Sequence, residues 1–218
     1  MTINYSQARE NMVEQQVRPW DVLDLRLLDV LSSIPREDFV PPAHRSLAYM
    51  DVEIPLGEGQ RMMKPVVEGR TLQALLLQSS DEVLEIGTGS GYLTACMARL
   101  AREVVSLEID PMLAAQARRQ LDAGRHGGNV RIEVADALAY STARRFDAIC
   151  VTGAVAALPP QFLQWLRPHG RLFVVHGQSP AMEAVLARHG DNRLELESLF
   201  ETDLPYLTGA APAPKFVF

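Results

Sequence analysis

Cysteine is scarce, positive charge is in deficit, and no long apolar run is present. The two cysteines, Cys96 and Cys150, fall inside apolar segments with no paired or metal-type spacing. That suits a reducing compartment and reads both as inert core residues. A formal net charge of -6 excludes binding nucleic acid mainly by phosphate neutralisation, which needs a surplus of Lys and Arg on one face. No nucleic-acid partner is expected. No stretch approaches the roughly 18 apolar residues of a spanning helix, and the residues after Met1 are polar where a signal sequence has its apolar region. The expectation is a cytoplasmic protein with no membrane partner. The histidines, His44, His126, His169, His176 and His189, have no ligand spacing, so no metal site is expected.

What is present is the make-up of one globular domain: 218 residues, 47% hydrophobic and 22% charged, enough to bury a sizeable core. Up to about Leu77 the pattern is helical, with Val22, Leu23, Leu25, Leu27, Leu28 and Val30 at roughly helical spacing. Pro35, Pro41 and Pro42 interrupt it, Asp51 to Gly59 reads as an extended connection, and Pro65 is placed to start a helix. Residues 1–77 are therefore expected to form a helical cap on residues 78–218.

From Asp81 the period changes. Short apolar runs at Glu82–Ile86, Glu103–Leu107, Val130–Val134, Phe146–Val151 and Arg171–Val175 alternate with amphipathic stretches, the pattern of a parallel sheet covered on both faces. The expected fold class is a doubly wound, mostly parallel α/β sheet of Rossmann type. After Pro180 a helix-like stretch is expected at Met182 to His189. Leu194 to Thr202 and a Pro/Ala-rich tail to Phe218 then follow, the end returning antiparallel at the sheet edge.

The most informative segment is Val83 to Tyr92, Val-Leu-Glu-Ile-Gly-Thr-Gly-Ser-Gly-Tyr, in which a buried strand runs into three alternating glycines and then a helix. Glycine permits the tight turn and close backbone approach, and the helix start offers unpaired N–H groups to a ligand. On its own such a loop is also an ordinary strand-to-helix turn. Its place in the first βα unit, where open α/β sheets bind ligands at strand carboxyl ends, favours a cofactor site. The next strand ends in Glu108-Ile109-Asp110, and a carboxylate about 20 residues after the loop suits a ribose diol. Glu108 is the expected ribose ligand and Asp110 the cap of a helix starting at Pro111. The third strand ends in Asp136, where a cap and an acceptor for an adenine amino group are alternatives, and three acidic strand ends in series favour the ligand. A nicotinamide dehydrogenase fits less well, because it requires Gly-x-Gly-x-x-Gly and position 92 is Tyr.

In order along the chain, Ile34-Pro35-Arg36-Glu37-Asp38-Phe39-Val40-Pro41, Ala48-Tyr49, Ile54-Pro55-Leu56-Gly57, Gly59-Gln60, Pro65, Val83 to Tyr92, Phe146 to Thr152, Leu158-Pro159 and Gly170-Arg171-Leu172 resemble the protein-L-isoaspartate O-methyltransferase family. The resemblance implies a class I methyltransferase fold, S-adenosylmethionine as cofactor and a damaged protein or peptide carboxylate as acceptor. It assigns the cofactor to Glu85, Gly87, Thr88, Gly89, Ser90, Gly91, Tyr92, Glu108 and Asp136. It also implies a departure. Where the family has Gln-Thr-Ile-Ser before the proline, this chain has Gln60-Arg61-Met62-Met63-Lys64, so the serine hydroxyl is replaced by Met63 between two cations. A second family segment is altered to Asp136-Ala137-Leu138-Ala139-Tyr140 and Ala143-Arg144-Arg145.

Methyl transfer to a carboxylate needs no general base, because a carboxyl with reference pKa of about 4 is already ionised. Alignment and exclusion of water suffice, so the lack of a catalytic triad does not exclude an enzyme. Arg61, Met63 and Lys64 are the candidate acceptor-site residues. The alternatives for them are core filling by Met62 and Met63 and a solvated face for Arg61 and Lys64. Three functions stay open: an isoaspartyl methyltransferase, a methyltransferase of this fold with another acceptor, and a cofactor-binding protein without turnover.

Overall fold

The computed structural model describes residues 3–189 and 194–213. The chain opens with α1 (Tyr5–Asn11), capped by the Asn4 side chain on the Gln7 amide, and after a π-helical turn reaches α2 (Leu25–Ser33), capped by Asp24 on Arg26. Both caps satisfy an amide that the helix start leaves without a partner. A short hairpin, β1 (Ile54–Gly57) and β2 (Gln60–Met62), occupies the expected extended connection, and α3 (Pro65–Leu75) begins on Pro65.

The remaining elements alternate: β3 (Glu82–Ile86), α4 (Tyr92–Leu100), β4 (Glu103–Glu108), α5 (Pro111–Ala123), β5 (Val130–Val134), β6 (Phe146–Val155), α6 (Pro160–Gln164) and β7 (Leu166–Gln178). Two further strands, β8 (Ala181–His189) and β9 (Leu194–Thr202), complete a seven-stranded sheet of order β5-β4-β3-β6-β7-β8-β9. The strands from β5 to β7 pair in parallel, whereas β7–β8 and β8–β9 are antiparallel. The parallel α/β core and the antiparallel edge agree with expectation.

One expected element is corrected. Met182 to His189 is not helical but strand β8, paired residue by residue with β7 from Gly177–Met182 to Arg171–Arg188. The apolar residues Met182, Ala184, Val185, Leu186 and Ala187 are all buried, so a strand covered on both faces imitates a short buried helix in sequence. Of the expected tail, residues 214–218 lie outside the described residues.

The two faces of the sheet carry separate cores. One joins β3, β4 and β6 to the cap through Val17, Leu27, Leu31, Phe39, Leu72, Tyr92 and Met97. The other packs Phe146, Phe162, Trp165 and Leu172 with Leu84, Val105 and Val174. Arg144 bridges Glu82 and Glu103 at the amino ends of β3 and β4, leaving the carboxyl ends of these strands to line the cleft.

Candidate cofactor and acceptor site

At the end of β3 the chain turns through Gly87, Gly89 and Gly91 with φ of 97°, 53° and 85°, left-handed values that disfavour any side chain. At Gly87 there is also no room. A Cβ there would lie 2.3 Å from Thr152 Oγ1 on β6, and that hydroxyl donates to Gly87 O at 2.6 Å. Asp110 caps α5 by accepting from the Met112 and Leu113 amides, as expected.

The acids are arranged around this loop. Glu108, 5% exposed, accepts from the Gly89 amide at 2.8 Å through Oε2 and from the Asp110 amide at 3.0 Å through Oε1. Each oxygen retains a further lone pair for a hydroxyl. Glu85 is fully buried, and its Oε2 accepts from Thr94 Oγ1 at 2.6 Å and Ser106 Oγ at 2.5 Å. With the Ser106 proton so engaged, Thr88 donates to Ser106 over 2.5 Å. Among the described residues Glu85 Oε1 has no hydrogen-bond partner. Burial pushes the Glu85 carboxyl up to about 8, against the two hydroxyl donors, and the Glu108 charge adds to the rise.

These groups border two adjoining pockets. The larger, with about 700 Å³ of empty space including its solvent mouth, lies over the ends of β3, β4 and β6 between Gly87, Gly89, Glu108, Asp136 and Thr152. Ile109, Leu113 and Leu138 supply its apolar walls, and Pro205 to Thr208 close one side. Asp136 is exposed there, with Oδ1 accepting from the Leu138 amide at 2.8 Å. That oxygen makes a turn, which leaves Oδ2 for a ligand. The smaller pocket shares Leu56, Arg61, Gly87, Gly89 and Thr152 with the larger and is lined further by Met62, Met63, Glu68, Glu85, Thr88, Ser90 and Leu93.

The structure thus gathers Glu85, Gly87, Thr88, Gly89, Ser90, Glu108, Asp136, Arg61 and Met63 at one site. Ser90 also accepts from the Tyr92 amide. Two expected cofactor residues lie elsewhere. Gly91 approaches α5, where a Cβ would meet Ala117 Cβ at 3.0 Å. Tyr92 lines neither pocket and is fully buried against the cap, its ring 5.7 Å from Phe39 in an edge arrangement and 5.2 Å from the Arg36 guanidinium. Lys64 is exposed in an outer groove with Trp20, Arg70 and Phe200, whereas Arg61 borders that groove and both pockets and reaches Glu53 at 3.7 Å.

Three further segments contribute, and the sequence singled out neither the end of β6 nor residues 205–208 as part of the site. Thr152 and Gly153 follow the same rule as the loop, because they lie where β6 meets the cleft. Leu56 and Gln60 arrive from the hairpin, within the blocks that carry the family resemblance, and Pro205 to Thr208 arrive from beyond β9 with no local signal.

Residues 7–206 match the family profile described as protein-L-isoaspartate(D-aspartate) O-methyltransferase. The chain belongs to this family. Among relatives of this methyltransferase, "Protein-L-isoaspartate O-methyltransferase 2" of Marinobacter nauticus is 40% identical over 197 residues, 88% of this chain and 89% of its own. "Protein-L-isoaspartate O-methyltransferase" of Anaeromyxobacter dehalogenans is 40% identical over 195 residues, covering 88% and 93%. In fold, the methyltransferase superposes with a TM-score of 0.81 and 18% identity on a Plasmodium falciparum structure described as a protein-L-isoaspartate O-methyltransferase in complex with S-adenosyl-L-homocysteine, covering 94% of this chain and 99% of that one. Met63 is buried and lines the smaller pocket.

Proposed function

We propose that this enzyme transfers the methyl group of S-adenosylmethionine to a carboxylate of isoaspartyl residues in damaged proteins or peptides, as a cytoplasmic repair activity. The observation that carries the reading is the match over residues 7–206 combined with a loop whose Gly89 amide and Glu108 carboxylate form one cradle.

The residues present fit the cofactor. Glu108 would take the ribose hydroxyls, and Asp136 Oδ2 the adenine amino group. The Gly87–Ser90 turn would hold the methionine end beside Glu85, whose buried and unpartnered Oε1 would gain a partner in a cationic group. When bound, S-adenosylmethionine supplies an electrophilic methyl group.

The chain's own part is alignment. The acceptor carboxylate arrives ionised, so no residue has to remove a proton. Arg61, exposed at the mouth of both pockets, would attract that carboxylate by charge in place of a hydroxyl contact. Met62, Met63 and Leu93 exclude water from the smaller pocket, which strengthens each electrostatic contact within it. Residues 1–77 contribute the acceptor wall and residues 78–218 the cofactor cradle. A different acceptor on the same fold is favoured by one observation, the methionine at the serine position. The test is labelled methyl transfer to an isoaspartyl peptide beside its aspartyl isomer. Base-labile label on the isoaspartyl peptide alone supports the proposal, and label on neither removes it.

A further inference from the structure

Arg36 is a fully buried arginine, and three segments converge on it. Its Nε donates to Glu68 Oε2 at 3.1 Å and its Nη2 to Glu68 Oε1 at 3.2 Å, a bidentate pair. Nη1 donates to Ala48 O at 3.0 Å, and Nη2 also to Met63 O at 2.6 Å. Arg36 is 0% and Glu68 2% exposed. Burial pushes the Glu68 carboxyl up to about 7, against the pull of Arg36. A buried ion pair is a weak source of stability, since an apolar pair of similar volume often serves as well or better. What an apolar pair cannot do is hold a backbone carbonyl in place. The carbonyl held here belongs to Met63, and Met63 and Glu68 both line the smaller pocket.

We infer that Arg36 and Glu68 are positioning residues for acceptor recognition: the pair fixes the Met62–Lys64 turn as one wall of the acceptor pocket. The inference rests on the proposed acceptor site, but the brace can be read without an acceptor. Glu68 anchors the guanidinium to the first turn of α3, and the guanidinium reaches the turn that joins β2 to α3. The Tyr92 ring beneath the guanidinium opens α4 immediately after the glycine loop, so the same side chain also sets the turn relative to the cofactor cradle.

The test compares the full-length parent with Arg36→Lys and with the double variant Arg36→Met/Glu68→Met, which leaves no unpaired buried charge. The double variant is expected to fold and to bind S-adenosylhomocysteine within about twofold of the parent, because Glu85, Glu108 and Asp136 are untouched. Its kcat/KM for an isoaspartyl peptide is expected to fall on the order of tenfold or more, mainly through KM, as follows from misplacing a binding wall. Arg36→Lys keeps the charge without the planar fork, so a smaller rise in KM is expected. Hydrogen exchange at residues 60–64 should accelerate in the double variant while residues 87–91 are unchanged. Unchanged exchange at 60–64, or an unchanged KM in an active enzyme, overturns the inference. Weakening of S-adenosylhomocysteine in step with KM also overturns it, since the pair would then only support the fold. If the parent methylates no isoaspartyl peptide while exchange still accelerates at 60–64, the acceptor reading fails and the brace stands.

Discussion

The Gly89 amide donates to Glu108 Oε2 over 2.8 Å, so the carboxylate proposed to receive the ribose also holds the glycine loop in shape. On that proposal, cofactor affinity and loop order are coupled through Glu108. Glu108→Ala is expected to weaken S-adenosylhomocysteine binding by about 2 kcal/mol, roughly thirtyfold, as measured by calorimetric titration. Glu108→Gln should lose less, because its amide oxygen can still accept from Gly89. Equal affinity of parent and Glu108→Ala would remove Glu108 from the site.

Gly87 and Gly57 offer a matched comparison, with φ of 97° and 108°. A Cβ at Gly87 meets Thr152 Oγ1 at 2.3 Å, whereas at Gly57 nothing lies within 4 Å. Gly57→Ala carries backbone strain alone, of about 1 kcal/mol. Gly87→Ala adds a steric clash, and its melting temperature is expected to drop several degrees further in scanning calorimetry. Equal drops would show that the loop relaxes freely around the new methyl group.

Glu85 gives stability a defined pH dependence. Its carboxyl is raised in the folded state from 4.5 to about 8, so the native protein holds this proton where the unfolded chain has released it. The contribution is complete below about pH 4.5 and is lost as pH rises toward about 8. Glu68, raised to about 7, acts in the same direction. Urea unfolding at pH 6 and pH 8 should show the parent losing more stability than Glu85→Gln over this interval, by up to about 1.4 kcal/mol per pH unit. Glu68 is present in both proteins, so the difference isolates Glu85. Parallel losses would contradict the protonated assignment.

Arg61 and Lys64 flank the same turn and are predicted to differ in effect. Arg61 borders both pockets as well as the outer groove, while Lys64 lines the outer groove and neither pocket. Arg61→Ala is expected to raise the acceptor KM roughly tenfold, the loss of one charge-assisted contact, and Lys64→Ala to leave it unchanged. The reverse ranking in steady-state kinetics would move the acceptor to the outer groove.

The α/β core was legible because β3, β4 and β6 are buried on both sides and carry near-continuous apolar runs, while α4 and α5 begin at Gly91 and Asp110-Pro111 as turn and cap chemistry dictates. Strand β8 was misread for the same physical reason: without alternation, a short apolar run fits either period. Glu85, Glu108 and Asp136 come together at the pockets because strand ends in this fold converge on one crevice. Tyr92 lines neither pocket, and sequence position does not tell which side of a helix start faces the cleft. Pro205–Thr208 closes the cleft from a distant part of the chain, and Arg36–Glu68 pairs across 32 positions. Only tertiary packing creates contacts of that kind.

The proposed site selects the isoaspartyl carboxylate with Met63 and Arg61 at its pocket. The most direct measurement is a competition in which parent and Arg61→Ala each receive isoaspartyl and aspartyl isomers of one peptide, with methyl ester on each isomer read by mass spectrometry after chromatographic separation. The prediction is a parent preference for the isoaspartyl isomer on the order of a hundredfold, reduced in Arg61→Ala as one charged contact is lost. A parent ratio near one, or no ester on either isomer while S-adenosylhomocysteine binds normally, would contradict it.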